Sequence, residues 1–125
     1  KIHKDSVSRV QKIMMGGSVI TKSLAKDVSE TFHVESLIGC YGLTETIGLF
    51  LFSPVGQITY DSSGFLVAGS KVKITDLITG DLLDSHQNGE ILAHSPHIMK
   101  GYYGHSKATD EALSDDGWLR TGTVS

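Results

Sequence analysis

The amino-acid sequence predicts an α/β segment followed by a mostly antiparallel β segment, with a change of texture near Pro54. Before Pro54, a strand, a helix and a second strand follow one another within about thirty residues, which is the pattern of a parallel βαβ unit. After Pro54, short alternating strands are separated by turn signals, which is typical of antiparallel sheets. We therefore expect residues 1–54 to end an α/β subdomain and residues 55–125 to form a second, β-rich subdomain.

The first segment contains one helix between two strands. Lys12–Met15 predicts a short buried strand that stops at Gly16 and Gly17. The helix is expected to begin after Thr21, whose hydroxyl can cap it. Residues 34–42 then predict a second strand that ends in glycine. The apolar residues of the helix recur at helical spacing on one face: Leu24, Val28 and Phe32.

The second segment predicts several strands and one helix. Lys71–Thr75 alternates polar and apolar side chains, which indicates a half-buried strand, and Thr79–Asp81 is a turn signal. Residues 106–113 have helical spacing and are followed by a stop at Gly117. The residues DGWLRTG, which begin at Asp116, predict a turn followed by a strand.

Composition excludes several classes of function. The net charge is -3 with the charges interspersed, so no basic patch suggests a nucleic-acid partner. The longest apolar run, Ile47 to Phe52, is six residues long and cannot span a bilayer. The single cysteine, Cys40, excludes an internal disulfide framework.

The first candidate binding segment is Gly16–Gly17–Ser18, which follows a strand and precedes a helix. Glycines there let the backbone turn sharply and let a ligand lie against the main chain. Ligands of open α/β sheets bind at the carboxyl ends of strands. An ordinary strand-to-helix turn explains the same residues, and on this segment alone that explanation is favoured.

The second candidate is the run from Tyr41 to Glu45 at the end of the next predicted strand. A tyrosine ring can cover a purine base and a threonine hydroxyl can donate to a phosphate oxygen. A glutamate can bind Mg²⁺, a hard cation that prefers oxygen ligands. The alternative is a helix start, in which Thr44 is the cap and Glu45 favours the positive end of the helix. Local physical chemistry does not decide between the two.

The order of the motifs resembles that of the adenylate-forming, or acyl-activating, superfamily, which includes luciferases, coumarate–CoA ligases and fatty acyl–CoA synthetases. The resemblance covers nearly the whole chain, and the YGLTET wording is most similar to the luciferase and coumarate–CoA ligase branch. The matching motifs are GGS at Gly16, YGLTE at Tyr41, GEI at Gly89, MKGYY at Met99, KATDEAL at Lys107 and DGWLRTG at Asp116.

The resemblance implies an ATP-dependent enzyme that converts a fatty or aryl acid to an acyl-AMP and then passes the acyl group to coenzyme A or, in luciferases, oxidises it. Thr44 would contact the α-phosphate and Glu45 would bind Mg²⁺, so these two residues are implied as catalytic. The implied nucleotide-binding residues are Gly16, Gly17, Ser18, Tyr41, Gly42, Thr44 and Thr123. The implied acyl-pocket residues are Gly17, Cys40, Gly42 and Gly48.

Three positions depart from the family pattern. Thr123 stands where an aspartate normally binds both ribose hydroxyls. Losing a charge-assisted hydrogen bond should weaken nucleotide binding by on the order of 1.5–3 kcal/mol, which is roughly ten- to a hundredfold. In the run TYDSSGFLVAGS, the family usually has proline, glycine, serine, valine and glycine in succession, and this chain clearly keeps only Gly64. At Cys40, glycine is common in the family. Thr123 supports an alternative hypothesis, that the protein is a non-catalytic relative that keeps the fold.

The chain itself predicts a piece of a larger protein. It begins at Lys1 rather than methionine, and its last residues read as an interrupted strand. The resemblance places it in the large N-terminal domain, as the end of an α/β subdomain and most of a small distorted β-barrel. The family's phosphate loop and late lysine would lie elsewhere, so this segment alone is expected to be inactive. The resemblance also implies an intracellular protein, with a peroxisomal location by analogy with luciferase-like ligases.

Overall fold

The computed structural model describes residues 7–56 and 62–125. Contacts among residues divide the chain into two compact units. The first comprises Lys1–Gly42 and Leu49–Val67, and the second comprises Leu43–Gly48 and Ala68–Ser125. Each unit is described by itself.

The first unit is built on a mixed sheet with the strand order β1-β2-β3-β4. Strands β1 and β2 are parallel, with Lys12 opposite Ser36 and Met15 opposite Gly39. Strands β3 and β4 are antiparallel. The elements are β1 (Lys12–Met15), α1 (Lys22–Phe32), β2 (Ser36–Leu43), β3 (Gly48–Phe52) and β4 (Phe65–Leu66). The last residue of β2 and the first of β3 belong to the second unit.

Helix α1 begins where its capping residue predicts. The Thr21 hydroxyl accepts a 3.2 Å hydrogen bond from the Leu24 amide, and the helix ends at His33 in the left-handed region. Its buried residue is Ala25, at 1% exposure, whereas Leu24 is 44% exposed. The predicted apolar face of the helix is therefore only partly covered, since Leu24 is exposed whereas Val28 and Phe32 are half-buried.

Gly64, in the divergent TYDSSGFLVAGS run, occupies a position where the fold requires glycine. Its φ is 96°, and a Cβ atom there would overlap the carbonyl group of Phe52. Only glycine combines this backbone angle with so close an approach. The first three residues of the run, 59–61, lie outside the described residues.

The second unit contains an antiparallel sheet with the strand order β5-β6-β7. Its core includes Leu92, Ala93 and Leu119, which are buried. The elements are a 3₁₀ turn (Thr44–Thr46), β5 (Lys71–Thr75), β6 (Glu90–His94), α2 (Ser106–Ala112) and β7 (Leu119–Val124). The predicted fold class, α/β followed by mostly antiparallel β, is confirmed. Among the described residues this second sheet is open and does not close into a barrel.

Strand β5 departs from the simple alternation that its sequence predicts. Thr75 is buried at 8% exposure, whereas Val72 is 39% exposed. Lys73 is half-buried because its ammonium lies 4.3 Å from the centre of the Trp118 ring, in cation–π geometry. Contacts with other segments of the same polypeptide decide which of these side chains are covered. The alternation of polar and apolar residues along the strand does not.

A bulge interrupts the pairing of β6 with β7. Glu90 is opposite Val124, and Leu92 is opposite Arg120. Between these two pairs, β6 has one residue, Ile91, whereas β7 has three, residues 121–123. Gly122 has a φ of 66°, in the left-handed region that favours glycine. Bulges of this kind bend a strand and re-aim its side chains.

Candidate functional site

In the first unit, the Gly16–Gly17–Ser18 segment lies beside Cys40. The parallel register places Met15, the last residue of β1, opposite Gly39 in the middle of β2. The Cys40 thiol donates a 3.2 Å hydrogen bond to the carbonyl oxygen of Met15. A Cβ atom on Gly16 would lie 2.6 Å from Cys40 Sγ and 2.7 Å from the Cys40 carbonyl oxygen. Gly16 is therefore required by a close approach of the backbone to β2.

The rest of this segment is open. Gly17 has a φ of 81°, and a Cβ atom there would meet nothing within 4 Å. Ser18 is exposed, while Tyr41 and Gly42 are half-buried on β2. The structure thus brings the glycine segment, which follows the carboxyl end of β1, next to Cys40 within β2. That this segment binds a ligand stays a prediction.

A separate groove of about 550 Å³ lies in the first unit against α1 and the start of β2. Its walls include Lys22, Lys26, Glu30 and Ser36. None of the site residues that the sequence predicts lines this groove, so it does not correspond to the predicted site.

In the second unit, Thr44 and Glu45 lie on the 3₁₀ turn. The Thr46 hydroxyl accepts a 2.9 Å hydrogen bond from the Leu43 amide and lies 2.9 Å from the carbonyl oxygen of Gly48. A single 3₁₀ turn does begin at Thr44, with Glu45 in it, but the expectation that Thr44 is the cap is wrong. The cap position is Leu43, and Thr46 supplies the hydroxyl that closes the turn.

The residue after this turn is strained. Ile47 has a φ of 51°, which is unusual for a β-branched side chain. Such strain persists only where the surroundings enforce it, and it is common at binding and catalytic sites. Gly48 follows with a φ of 110°, and a Cβ atom there would meet nothing within 4 Å.

Two hydrogen bonds from the segment after β6 hold Glu45. The Tyr102 hydroxyl donates a 2.6 Å hydrogen bond to Glu45 Oε1. The Met99 amide donates a 2.8 Å hydrogen bond to the Glu45 carbonyl oxygen. The Tyr102 hydrogen bond is the main cause that lowers the pKa of the Glu45 carboxyl below its ordinary value, so this side chain is ionised at neutral pH.

Sequence reasoning missed Tyr102 as a site residue. The MKGYY motif contributes to the resemblance, but nothing local in it indicates contact with a carboxylate 57 positions earlier in the chain. Only the fold of the second unit brings the two side chains together.

Thr123 lies within the bulge of β7. Its amide donates a 3.1 Å hydrogen bond to the Thr121 hydroxyl, which in turn donates a 2.7 Å hydrogen bond to the carbonyl oxygen of Ile91. The Gly122 amide donates a 3.2 Å hydrogen bond to Glu90 Oε1. The backbone at Thr123 is therefore positioned by its neighbours.

The donor set around Glu45 fits a magnesium ion that arrives with a nucleotide. Across residues 7–56 and 62–125, no three His, Cys, Asp or Glu side chains cluster in a way that could cage a metal ion. Mg²⁺ is usually bound by one or two carboxylates together with substrate phosphates, not by a dedicated protein cage. A single ionised, half-buried carboxylate such as Glu45 meets that requirement.

The chain belongs to the family described as AMP-binding enzyme, which matches residues 1–103.

Two curated relatives resemble the chain along nearly all of its length. Luciferin 4-monooxygenase of Photinus pyralis is 34% identical over 123 residues, which cover 98% of this chain and 22% of the relative. Peroxisomal OPC-8:0-CoA ligase 1 of Arabidopsis thaliana is 32% identical over 123 residues, covering 97% of this chain and 22% of the relative. The chain thus spans about a fifth of the length of the curated relatives it matches.

A solved structure shares the fold. The anthranilate CoA ligase AuaEII, in complex with anthranoyl-AMP, superimposes on this chain with a TM-score of 0.82 at 23% sequence identity. The superposition covers 94% of this chain and 22% of the ligase chain. Within the described ranges of this chain, the helices are too short or too polar to cross a membrane.

Proposed function

We propose that the protein containing this chain activates a carboxylic acid with Mg-ATP and transfers the resulting acyl group to coenzyme A. In the first step a carboxylate oxygen of the acid bonds to the α-phosphorus of ATP, and the bond to pyrophosphate breaks. In the second step the thiol sulfur of coenzyme A bonds to the acyl carbon, AMP leaves with the bonding electron pair, and the thiol proton is released. Membership of the AMP-binding family supports this reaction class.

The observation that carries the proposal on this chain is the Glu45 carboxylate of the 3₁₀ turn, which accepts a 2.6 Å hydrogen bond from the Tyr102 hydroxyl. Under the proposal, Glu45 would hold the Mg²⁺ that accompanies ATP. The positive charge of this cation would offset the negative charge of the phosphates. Thr44 contacts the α-phosphate and Tyr41 covers the adenine.

The remaining roles follow the same proposal. Gly16, Gly17, Ser18 and Gly42 let the nucleotide approach the backbone, and Thr123 contacts the ribose with one hydroxyl in place of a carboxylate. Gly17, Cys40, Gly42 and Gly48 border the acyl group. A fatty or an aryl acid is the proposed substrate class, and a peroxisomal location is inferred by analogy with the Arabidopsis relative.

The test is carboxylate-dependent exchange of pyrophosphate into ATP, measured on the complete protein with a panel of fatty and aryl acids. We expect exchange with at least one acid and, when coenzyme A is added, an acyl-CoA detectable by mass spectrometry. Exchange without any acyl-CoA would overturn the second step only. No exchange with any acid would overturn the proposal.

A matched pair of variants tests the role of the carboxylate. Glu45→Gln should reduce exchange by about a hundredfold or more, because the amide cannot supply the charge that binds Mg²⁺. Glu111→Gln is the control, since Glu111 is exposed on α2 and pairs only with Lys107 at 3.9 Å. Equal activity of the two variants would remove Glu45 from the proposed mechanism. Absence of Mg-ATP binding by the unmodified protein would favour the non-catalytic relative that Thr123 suggests.

A further inference from the structure

We propose that Tyr102 is a positioning residue for the Glu45 carboxylate, and that it sets the affinity of the site for the divalent cation. The inference rests on the proposed function, because it concerns the cation that Glu45 would bind. The observation is the 2.6 Å hydrogen bond from the Tyr102 hydroxyl to Glu45 Oε1.

A carboxylate on a short turn can rotate about its side-chain bonds. The hydrogen bond to Oε1 limits this rotation and holds the carboxylate in one orientation. Partners in the outer shell that orient a ligating carboxylate are a general feature of metal sites, and their removal typically weakens metal binding by about ten- to a hundredfold. Tyr102 supplies such a partner without itself competing for the metal, because its hydroxyl donates to the carboxylate.

Tyr102 is itself held in place from α2. Its amide donates a 2.9 Å hydrogen bond to the Thr109 hydroxyl, which donates a 3.0 Å hydrogen bond to the carbonyl oxygen of His105. A Cβ atom on Gly101 would lie 2.7 Å from Thr109 Cγ2, so the backbone before Tyr102 packs tightly against the same residue.

The two segments are also joined through their backbones. The Met99 amide binds the Glu45 carbonyl oxygen at 2.8 Å, three positions before Tyr102. Removing the Tyr102 hydroxyl therefore breaks its hydrogen bond to the Glu45 carboxylate. The backbone hydrogen bond between Met99 and the 3₁₀ turn stays in place. This separates a positioning role from a general role in folding.

The experiment compares Tyr102→Phe with Tyr103→Phe in the complete protein. Each variant removes one hydroxyl and keeps the ring, and Tyr103 is fully exposed. Binding of Mn²⁺, used as a paramagnetic probe in place of Mg²⁺, is measured by electron paramagnetic resonance in the presence of a non-hydrolysable ATP analogue. Pyrophosphate exchange is measured in parallel as a function of Mg²⁺ concentration.

We expect Tyr102→Phe to weaken Mn²⁺ binding about tenfold and to raise the Mg²⁺ concentration for half-maximal exchange by a similar factor. The KM for the acid should not change, and Tyr103→Phe should match the unmodified protein in both assays. A loss of folding would be seen as a lower Tm together with an altered KM for the acid, and it would contradict the positioning role.

The failure of this inference can be told apart from the failure of the proposed function. If the unmodified protein performs exchange and Tyr102→Phe has unchanged cation dependence, the inference is wrong and the proposed function stands. If exchange is absent but Mn²⁺ binds with the analogue and is weakened only by Tyr102→Phe, the proposed function is wrong and the positioning role stands. If the unmodified protein binds no Mn²⁺ with the analogue, both are overturned.

Discussion

The hydroxyl of Thr121 donates a 2.7 Å hydrogen bond to the carbonyl oxygen of Ile91 across the bulge between β6 and β7. The same hydroxyl accepts a 3.1 Å hydrogen bond from the Thr123 amide. The bulge is therefore held by Thr121 and by the backbone of Thr123. A change of side chain at Thr123 leaves these two hydrogen bonds in place, because neither of them uses the Thr123 side chain.

Thr123→Asp should strengthen Mg-ATP binding by roughly ten- to a hundredfold, because a carboxylate accepts charge-assisted hydrogen bonds from ribose hydroxyls. Isothermal titration calorimetry of the complete protein measures the change. Val124→Asp adds the same charge at the next, exposed position, and should leave the affinity unchanged. Equal affinities for all three proteins would show that Thr123 is not at the ribose.

Gly16→Ala should destabilise the end of β1, because its methyl group would lie 2.7 Å from the Cys40 carbonyl oxygen. Forcing atoms into a packed position typically costs about 1–3 kcal/mol, and the Tm of the complete protein measures the loss. Adding Cys40→Gly should recover only part of it, because the carbonyl group remains. The control Ser18→Ala changes an exposed residue and should have almost no effect. A Tm for Gly16→Ala equal to that of the control would refute the close approach.

The turn at Asp76 should weaken in acid. Asp76 Oδ1 accepts hydrogen bonds of 2.8 Å from the Ile78 and Thr79 amides, and these bonds lower the pKa of its carboxyl. Because the pKa is lower in the folded state, the stabilisation is complete above the unfolded value of about 4 and is lost as the pH falls through the lowered value.

Hydrogen exchange of the peptide containing Ile78 and Thr79, corrected for the intrinsic rate at each pH, tests this expectation. Protection should fall as the pH is lowered from about 6 to about 3. The neutral amide oxygen of Asp76→Asn can accept the same hydrogen bonds, but more weakly. In this variant the protection of the peptide should be lower at about pH 6 and should change less with pH. Identical pH dependence in the two proteins would mean that another group controls the turn.

Much of the first unit could be predicted because its signals are local. The Thr21 hydroxyl caps a helix within three residues, and β1 spans Lys12–Met15 as predicted. The expectation that this strand is buried is wrong, because its residues are exposed or half-buried. The direction in which α1 faces could not be predicted to the residue, since Leu24 and Ala25 are both apolar and only packing decides which is buried.

The site divides in the same way. The sequence singles out Glu45 as a candidate, because a glutamate in an apolar run needs a reason to be there. Its role as a Mg²⁺ ligand is implied by the resemblance and stays a prediction. The sequence indicates Thr44 as the candidate cap, whereas the Thr46 hydroxyl closes the turn. The answer depends on the positions of Leu43 and Gly48, which no local pattern indicates.

The sequence by itself determined the family and the fold class, because these depend on short-range patterns and motif order. It also singled out the Glu45 carboxylate as a candidate, whereas it predicted neither β3 nor β4. Only the tertiary structure decided what holds that carboxylate. Tyr102 and Glu45 are 57 residues apart, and their contact exists because Met99 binds the Glu45 carbonyl and Thr109 anchors the amide of Tyr102. A hydrogen bond at that sequence separation is a property of the packed chain and has no local signature.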